Sequence, residues 1–171
     1  MQKLNWALFT LFFIVFVASC EKDDICAGTV QTTPQLVIEF YDLTAPDKEL
    51  AVAGLYAIGL DTDALEVPIT NEIVMTRTSI TLPLKTDDFE TEFVLYKSYD
   101  IVDGVVRGNP DVIKVTYSTE NLYISRACGY ITNFEIQTFS IAEDSDQWMR
   151  NSEILNYEIT NENEIHVKIF H

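Results

Sequence analysis

The chain has 171 residues, with 27 acidic and 11 basic side chains and a formal net charge of −16. Such an acidic chain repels phosphate backbones and has no basic stripe interleaved with aromatic residues, which argues against nucleic-acid binding. The same charge opposes electrostatic attachment to anionic lipid headgroups.

The first 19 residues have the layout of a secretory signal peptide. Lys3 gives a short positive end, and an uncharged, mostly apolar run extends over residues 4–19. The alternative is a transmembrane helix, which needs about 20 consecutive apolar residues. The run is shorter than that, contains Asn5 and Thr10, and is followed directly by Cys20 and charged residues. We therefore predict a signal peptide over residues 1–19.

The residues at the end of this run, Val17-Ala18-Ser19-Cys20, resemble the lipobox of bacterial lipoproteins. The resemblance implies cleavage before Cys20, a diacylglyceryl thioether on its sulfur and an acylated amino terminus. Two or more acyl chains hold a protein durably on a bilayer that it does not span. Cleavage removes a single charged side chain, Lys3, so the formal charge of the processed chain would be −17.

A short acidic tract, Glu21-Lys22-Asp23-Asp24, follows the lipobox. It resembles the sorting signal of lipoproteins that some Gram-negative bacteria export to the cell surface. The alternative is a solvated linker, with the protein attached on the periplasmic face of the outer membrane. In either case residues 20–33 are predicted to be a tether.

Two cysteines remain once Cys20 is assigned to the lipid. An exported chain meets an oxidising compartment, so we expect a disulfide between Cys26 and Cys128. The alternative is a nucleophilic Cys128 activated by His166. That chemistry also needs an orienting group and a pocket, which the sequence does not identify.

Residues 34–171 are predicted to form a single domain, because about 150 residues suit one hydrophobic core and no linker or repeat interrupts them. Short segments with alternating apolar residues, separated by turns, predict eight or nine strands. They indicate a β-sandwich, immunoglobulin-like or of a similar two-sheet type, or else a partly closed barrel. Ile113, Val115 and Tyr117 should point inward in one of them. The predicted strands are residues 36–42, 51–60, 73–84, 89–99, 112–118, 122–126, 131–141, 155–159 and 165–169.

Three further local predictions follow. Alternation over residues 155–159 and 165–169 predicts a hairpin at the carboxyl end. Residues 142–150 are acidic and could hold one helical turn. Phe89 is predicted to share the inward face of its strand with Phe93 and Leu95.

No catalytic motif is present. The chain lacks a Gly-x-Ser-x-Gly elbow and a glycine-rich phosphate loop. Its only histidines are His166 and His171, and His166 is predicted to lie on the polar, solvent-facing side of its strand. We therefore predict no enzymatic activity and no cofactor.

Acidic turns offer candidate calcium ligands at two places, but they lack the offsets of an EF-hand. The turns are therefore interpreted as solvated loops, and no metal site is predicted. They are Asp61, Asp63 and Glu66, and Glu143, Asp144 and Asp146.

Four aromatic residues leave two alternatives open. Tyr41, Tyr96, Trp148 and Phe170 could form a patch that stacks on sugars or docks a protein. The other interpretation, which we favour for each residue taken singly, is partial burial in a two-layer β fold.

The whole-chain layout resembles an uncharacterised family of small β-rich outer-membrane lipoproteins of Gram-negative bacteria. The features that match are Cys20 with its acidic tract, Asp24-Ile25-Cys26, Thr33-Pro34, Leu82-Pro83-Leu84 and Cys128-Gly129-Tyr130. The resemblance carries over no catalytic residue and makes an outer-membrane location the expectation. Two functions are compatible with it: a non-enzymatic accessory subunit that binds an outer-membrane protein, and a surface protein that binds a ligand or a glycan.

Overall fold

The structure is a computed structural model that describes residues 25–60, the backbone of 66–68, and 74–171. The predicted signal peptide, the lipobox and the acidic tract, residues 1–24, lie outside the described residues. Within those ranges the chain forms strands and no helix, so no helix is long and apolar enough to cross a membrane.

Twelve strands make up two sheets in the described residues, which confirms the predicted all-β sandwich. The extra strands, relative to the eight or nine expected, are mostly short. The strands are β1 (Leu36–Asp42), β2 (Ala45–Glu49), β3 (Val52–Leu60), β4 (Glu66–Pro68), β5 (Met75–Arg77), β6 (Ser79–Leu82), β7 (Glu90–Val102), β8 (Val105–Ser125), β9 (Gly129–Ile141), β10 (Asn151–Ile154), β11 (Glu158–Ile159) and β12 (Val167–Phe170).

The first sheet has five strands and is built around β1. One edge of β1 pairs in parallel with β12, and β10 pairs antiparallel with β12 beyond it. β6 and β2 both pair antiparallel with the other edge of β1. The first and last strands of the domain therefore lie side by side.

The second sheet has seven strands, in the order β11-β9-β8-β7-β3-β4, with β5 also paired to β3. Its backbone is the long β7–β8 hairpin, which turns at Asp103 and Gly104. Both turn residues have positive φ angles, 53° and 76°, as expected for a two-residue hairpin turn.

The core lies between the sheets and comes from alternate residues of the strands. Leu36, Ile38 and Phe40 of β1 are fully buried, and Ile113, Val115 and Tyr117 of β8 are buried as predicted. A period of two places every second side chain of a strand on one face, so a half-buried strand alternates in polarity. The core also includes Leu55, Ile80, Leu82, Phe93, Leu95, Phe134, Ile136, Met149, Ile159, Val167 and Ile169.

Several local predictions are wrong. Residues 112–118 and 122–126, predicted as two strands, both lie in the single strand β8. The carboxyl-terminal strand β12 pairs with β10, and β11 pairs instead with β9 in the other sheet. Residues 142–150 contain no helical turn. Phe89 precedes β7 and is 73% exposed, because the inward phase of that strand begins only with Thr91.

The described chain divides into two compact units. The larger contains residues 31–122 and 131–171, and holds both sheets. The smaller contains residues 25–30 and 123–130, and its Cys26 and Cys128 sulfur atoms lie 2.06 Å apart, at disulfide distance. Within it, the rings of Tyr123 and Tyr130 meet at 62° with centroids 5.2 Å apart.

Candidate binding groove

A β-bulge interrupts the β7–β8 hairpin. Lys97 pairs with Asn109 and Asp100 pairs with Arg107, so β7 carries one extra residue between the two pairs. Within the bulge, Ser98 has a φ of 58°, a left-handed conformation that costs a non-glycine residue about 1–2 kcal/mol. A strained backbone of this kind persists only where its surroundings fix it.

Glycines on the two neighbouring strands make room for the bulge. A Cβ atom on Gly54 of β3 would lie 3.0 Å from the Ser98 Cα, and one on Gly108 of β8 would lie 3.0 Å from the Lys97 carbonyl oxygen. Both glycines also have positive φ angles, 56° and 122°. The bulge is therefore packed against the backbone of both flanking strands, where only glycine fits.

Replacing Gly108 with Ala is expected to lower the free energy of unfolding by about 2–3 kcal/mol, from the positive φ and the contact with backbone atoms together. Gly104→Ala is the matched control, since Gly104 has a positive φ but open space around it, and should cost about 1 kcal/mol. Urea unfolding of both variants measures the difference. Equal losses would show that the bulge is not tightly packed.

The bulge brings a third tyrosine onto the outer face of the sheet. Tyr56 and Tyr96 are direct cross-strand partners and so share a face. Residues 96 and 99 would point to opposite faces of a regular strand, but the extra residue returns Tyr99 to the side of Tyr96. The Tyr99 ring stacks on Tyr56 with centroids 4.2 Å apart and meets the Tyr96 ring edge-on at 5.2 Å.

Tyr56 and Tyr99 border a groove with a volume of about 440 Å³, which lies in the range of ligand sites. Its walls are Tyr56, Val74, Tyr99, Asp100 and Ile101. The Asp100 Oδ1 atom accepts a hydrogen bond of 2.8 Å from the Ile101 N–H. We call this feature the tyrosine groove.

Beyond the bulge, the hairpin carries exposed apolar side chains. Ile101 pairs with Val106, and the two side chains are 57% and 49% exposed. Val105, beside the turn, is 61% exposed. Contiguous exposed apolar residues next to a groove are typical of a binding surface.

A family model described as a family of unknown function, DUF6452, matches residues 50–171. The chain belongs to this family. The match contains β3 to β12 and hence every residue of the tyrosine groove, whereas Cys20, Cys26 and β1 precede it. No curated protein and no solved structure matches the chain.

A buried carboxylate fixes the connection between the two sheets of this DUF6452 protein. Asp111 lies opposite Leu95 and in the inward phase of β8, and is fully buried. Its Oδ2 atom accepts hydrogen bonds from the Trp148 N–H at 2.9 Å and the Met149 N–H at 2.7 Å. Burial raises the pKa of Asp111, although these two hydrogen bonds favour its charged form. Asp111 thus holds residues 148–149 as the chain passes from β9 to β10.

The prediction that His166 faces solvent is wrong, since its exposure is 0%. The Nδ1 atom accepts a hydrogen bond of 2.9 Å from the Val37 N–H. The Nε2 atom makes no hydrogen bond of normal geometry within the described residues. The Asn161 carbonyl nevertheless lies near enough to favour the charged form of the imidazole. The nearby Glu164 also favours the charged form, but burial has the larger effect and lowers the pKa of His166. The imidazole therefore serves as an acceptor that fixes β1.

These contacts predict a loss of stability in mild acid. Burial lowers the pKa values of both His166 and His171, so between those values and the unfolded value of about 6.5 the unfolded chain binds more protons. Stability is then complete above about pH 6.5 and falls as the pH decreases. Protonation of Nδ1 would also remove the acceptor for Val37. Thermal unfolding from pH 7.5 to 5.5 measures the slope. His166→Asn, which keeps an acceptor, should flatten it, and an unchanged slope would contradict this role.

The other residues singled out from the sequence differ in where the structure places them. Cys20 lies outside the described residues. Cys128 is within bonding distance of Cys26, so its sulfur is not placed as a thiolate nucleophile. Trp148, Tyr41 and Phe170 are buried and form no exposed patch, whereas Tyr96 is half-buried beside the groove. Tyr56 and Tyr99, the groove's main aromatic residues, were not singled out by the sequence.

In the described part of the chain, no group of three potential metal ligands converges. Asp144 Oδ1 accepts a hydrogen bond of 2.9 Å from the Asp146 N–H, an ordinary turn contact. The side chains of Asp61, Asp63 and Glu66 lie outside the described residues.

Proposed function

We propose that the protein is a lipid-anchored, non-enzymatic accessory subunit of the bacterial outer membrane, which binds an outer-membrane protein through the end of its β7–β8 hairpin. The lipobox-like Val17-Ala18-Ser19-Cys20 supports the anchor, and the acidic tract after it supports display on the cell surface. The observation that carries the binding role is the exposed apolar hairpin end beside the tyrosine groove.

Several features support this surface as a contact site. The hairpin extends past the bulge as a paired, two-stranded ribbon from Asp100 to Arg107. Its backbone is fixed by the packing of Gly54 and Gly108, so the exposed side chains need little ordering when they bind, which favours affinity.

A pull-down in mild detergent tests the binding role. The full protein should recover a membrane protein in fixed ratio, and the Ile101→Ser/Val106→Ser variant should recover at least tenfold less. Phe89→Ser is the matched control, because it also removes an exposed apolar side chain but lies before β7. Recovery of the protein alone at full yield, or equal recovery with both variants, would contradict the proposal.

Protease treatment of whole cells tests the orientation. Surface display predicts cleavage of the protein in intact cells, and loss of that cleavage when Glu21, Asp23 and Asp24 are changed to Ala. Protection in intact cells with the natural tract would instead place the protein on the periplasmic face.

Binding of a glycan or another ligand is the second candidate function. The half-buried tyrosines Tyr56 and Tyr99 favour it, since they line the groove and a sugar ring can pack on an aromatic side chain. A glycan array probed with the purified protein, with Tyr99→Ala as the comparison, tests this alternative.

A further inference from the structure

The smaller of the two compact units carries exposed apolar side chains around the turn that joins β8 to β9. In this turn the Ser125 Oγ atom accepts a hydrogen bond of 3.1 Å from the Cys128 N–H. Tyr123 and Tyr130 flank the turn and are 56% and 68% exposed, although their rings are in contact. Ile124 is also exposed and, as the strand neighbour of Tyr123, lies on the other face. We call this apolar end of the hairpin the β8–β9 tip.

The charge of the smaller unit differs from that of the chain as a whole. The chain has 27 acidic side chains, but the described residues of this unit include none. Their single charged side chain is Arg126, which is exposed in the turn. Ile25, in the other segment of the unit, adds a further exposed apolar side chain. An apolar surface with one guanidinium suits the boundary of a bilayer, where lipid phosphates lie beside acyl chains.

The chain between the predicted anchor and this unit is short. Five residues separate Cys20 from Cys26, and because an extended chain advances at most about 3.6 Å per residue, their Cα atoms lie within about 22 Å. The Cys26 and Cys128 Cα atoms are 4.9 Å apart, with their sulfur atoms at bonding distance. The β8–β9 turn is therefore held within about 27 Å of the residue that would carry the acyl chains.

Tyrosine suits the boundary between lipid and water, because its ring is apolar and its hydroxyl is polar. It is enriched for this reason where membrane proteins meet the lipid headgroups. Acyl chains on Cys20 make such a contact intramolecular, so a pair of exposed rings suffices where it would not hold a free protein on a bilayer. A protein surface matches less well as the occupant, because the anchor itself places lipid within this reach.

We propose that the β8–β9 tip lies in the interface of the leaflet that holds the Cys20 acyl chains. Tyr123 and Tyr130 then lie among the lipid headgroups, and Arg126 binds a lipid phosphate. The inference rests on the lipid anchor of the proposed function and adds a second, non-covalent attachment to the bilayer. It applies to either face of the outer membrane.

Quenching of tryptophan fluorescence by brominated lipid tests this contact. Removal of residues 1–19 leaves the buried Trp148 as the single natural tryptophan, and Tyr130→Trp adds a reporter at the tip. The lipidated protein is reconstituted from detergent into phosphatidylcholine vesicles, with and without bromine near the carboxyl end of one acyl chain. This zwitterionic lipid avoids repulsion by the acidic tract. The emission added by Tyr130→Trp should fall at least twofold in the brominated vesicles.

A second reporter is the matched control. Val105 is 61% exposed, similar to Tyr130, but it is the first residue of β8 and belongs to the larger unit. The emission added by Val105→Trp should be the same in both kinds of vesicle. Equal quenching of the two reporters, or no quenching of Tyr130→Trp, would overturn the inference. Protection of Tyr130→Trp from acrylamide without quenching by bromine would show that protein covers the tip, which would also overturn it.

A further pair of variants separates apolar contact from mere nearness to the anchor. Tyr123→Ser/Ile124→Ser, made in the Tyr130→Trp protein, should reduce the quenching by at least half. Leu155→Ser also removes an exposed apolar side chain, but from the larger unit, and should leave the quenching unchanged. Equal effects of the two changes would contradict the proposed contact.

Flotation of the same vesicles distinguishes this inference from the anchor on which it rests. Protein that rises with the vesicles in a density gradient while Tyr130→Trp is not quenched would contradict the tip contact and leave the anchor standing. Natural protein that does not rise with the vesicles would contradict the anchor, and the inference with it.

Discussion

Replacing both Cys26 and Cys128 with Ser is expected to lower the free energy of unfolding by about 4–5 kcal/mol. The two cysteines are separated by 102 residues, so the crosslink closes a long loop and removes much of the conformational freedom of the unfolded chain. The measurement is urea unfolding of the oxidised protein and of the double variant, followed by circular dichroism.

Reduction supplies the control for this prediction. A reducing agent should destabilise the natural protein by the same amount and leave the double variant unchanged. A free-thiol count on the unfolded, unreduced protein should find neither Cys26 nor Cys128. Two reactive thiols, or a double variant as stable as the natural protein, would show that the bond does not form.

Replacing Asp111 with Ala is expected to lower the free energy of unfolding by about 3–4 kcal/mol, because the Trp148 and Met149 N–H groups lose a buried acceptor. For a domain of this size the loss corresponds to a fall in Tm of about 10 °C. Both residues are themselves buried, so water cannot readily replace the carboxylate. Thermal unfolding at pH 7 measures the change.

Asp111→Asn is the matched variant, since its amide oxygen can still accept both hydrogen bonds. It should cost about 1 kcal/mol at pH 7. Burial raises the pKa of Asp111 in the folded state, so the folded chain binds more protons than the unfolded chain between the two pKa values. The natural protein should therefore lose stability relative to Asp111→Asn as the pH rises through that window. Equal losses for Ala and Asn would contradict the hydrogen-bonding role.

The fold class follows from the sequence because alternation is a local property. Ile113, Val115 and Tyr117 differ in polarity from their neighbours and are buried as predicted. The same pattern extends to Asp111, two positions earlier. Alternation does not predict a buried carboxylate at that position, because the backbone donors that accommodate it come from residues 148–149, far along the chain.

Strand partners and the burial of His166 depend on long-range contacts that alternation does not contain. β12 lies between β1 and β10, so the segment that carries His166 meets the Val37 N–H and is enclosed. The predicted hairpin failed for a related reason, since Ile159 is buried against the other sheet through the pairing of β11 with β9.

The tyrosine groove was only partly accessible from the sequence. Tyr96 was singled out, whereas strict alternation places Tyr99, three positions later, on the opposite face of the strand. The extra residue of the bulge returns Tyr99 to the face that carries Tyr96. In the sequence, the residues that accommodate the bulge are Gly54 and Gly108, which lie on β3 and β8. Their role can be recognised only when the pairing of β3, β7 and β8 is known.

Mass spectrometry of the protein purified from the membranes of its host tests the central claim most directly. The account predicts that residues 1–19 are absent and that Cys20 is the first residue, carrying a diacylglyceryl group on its sulfur and an acyl group on its nitrogen. The Cys20→Ala variant should carry no such mass and should leave the membrane fraction. An unmodified Cys20 in a chain that still begins at Met1 would contradict the anchor and the proposed location at the outer membrane.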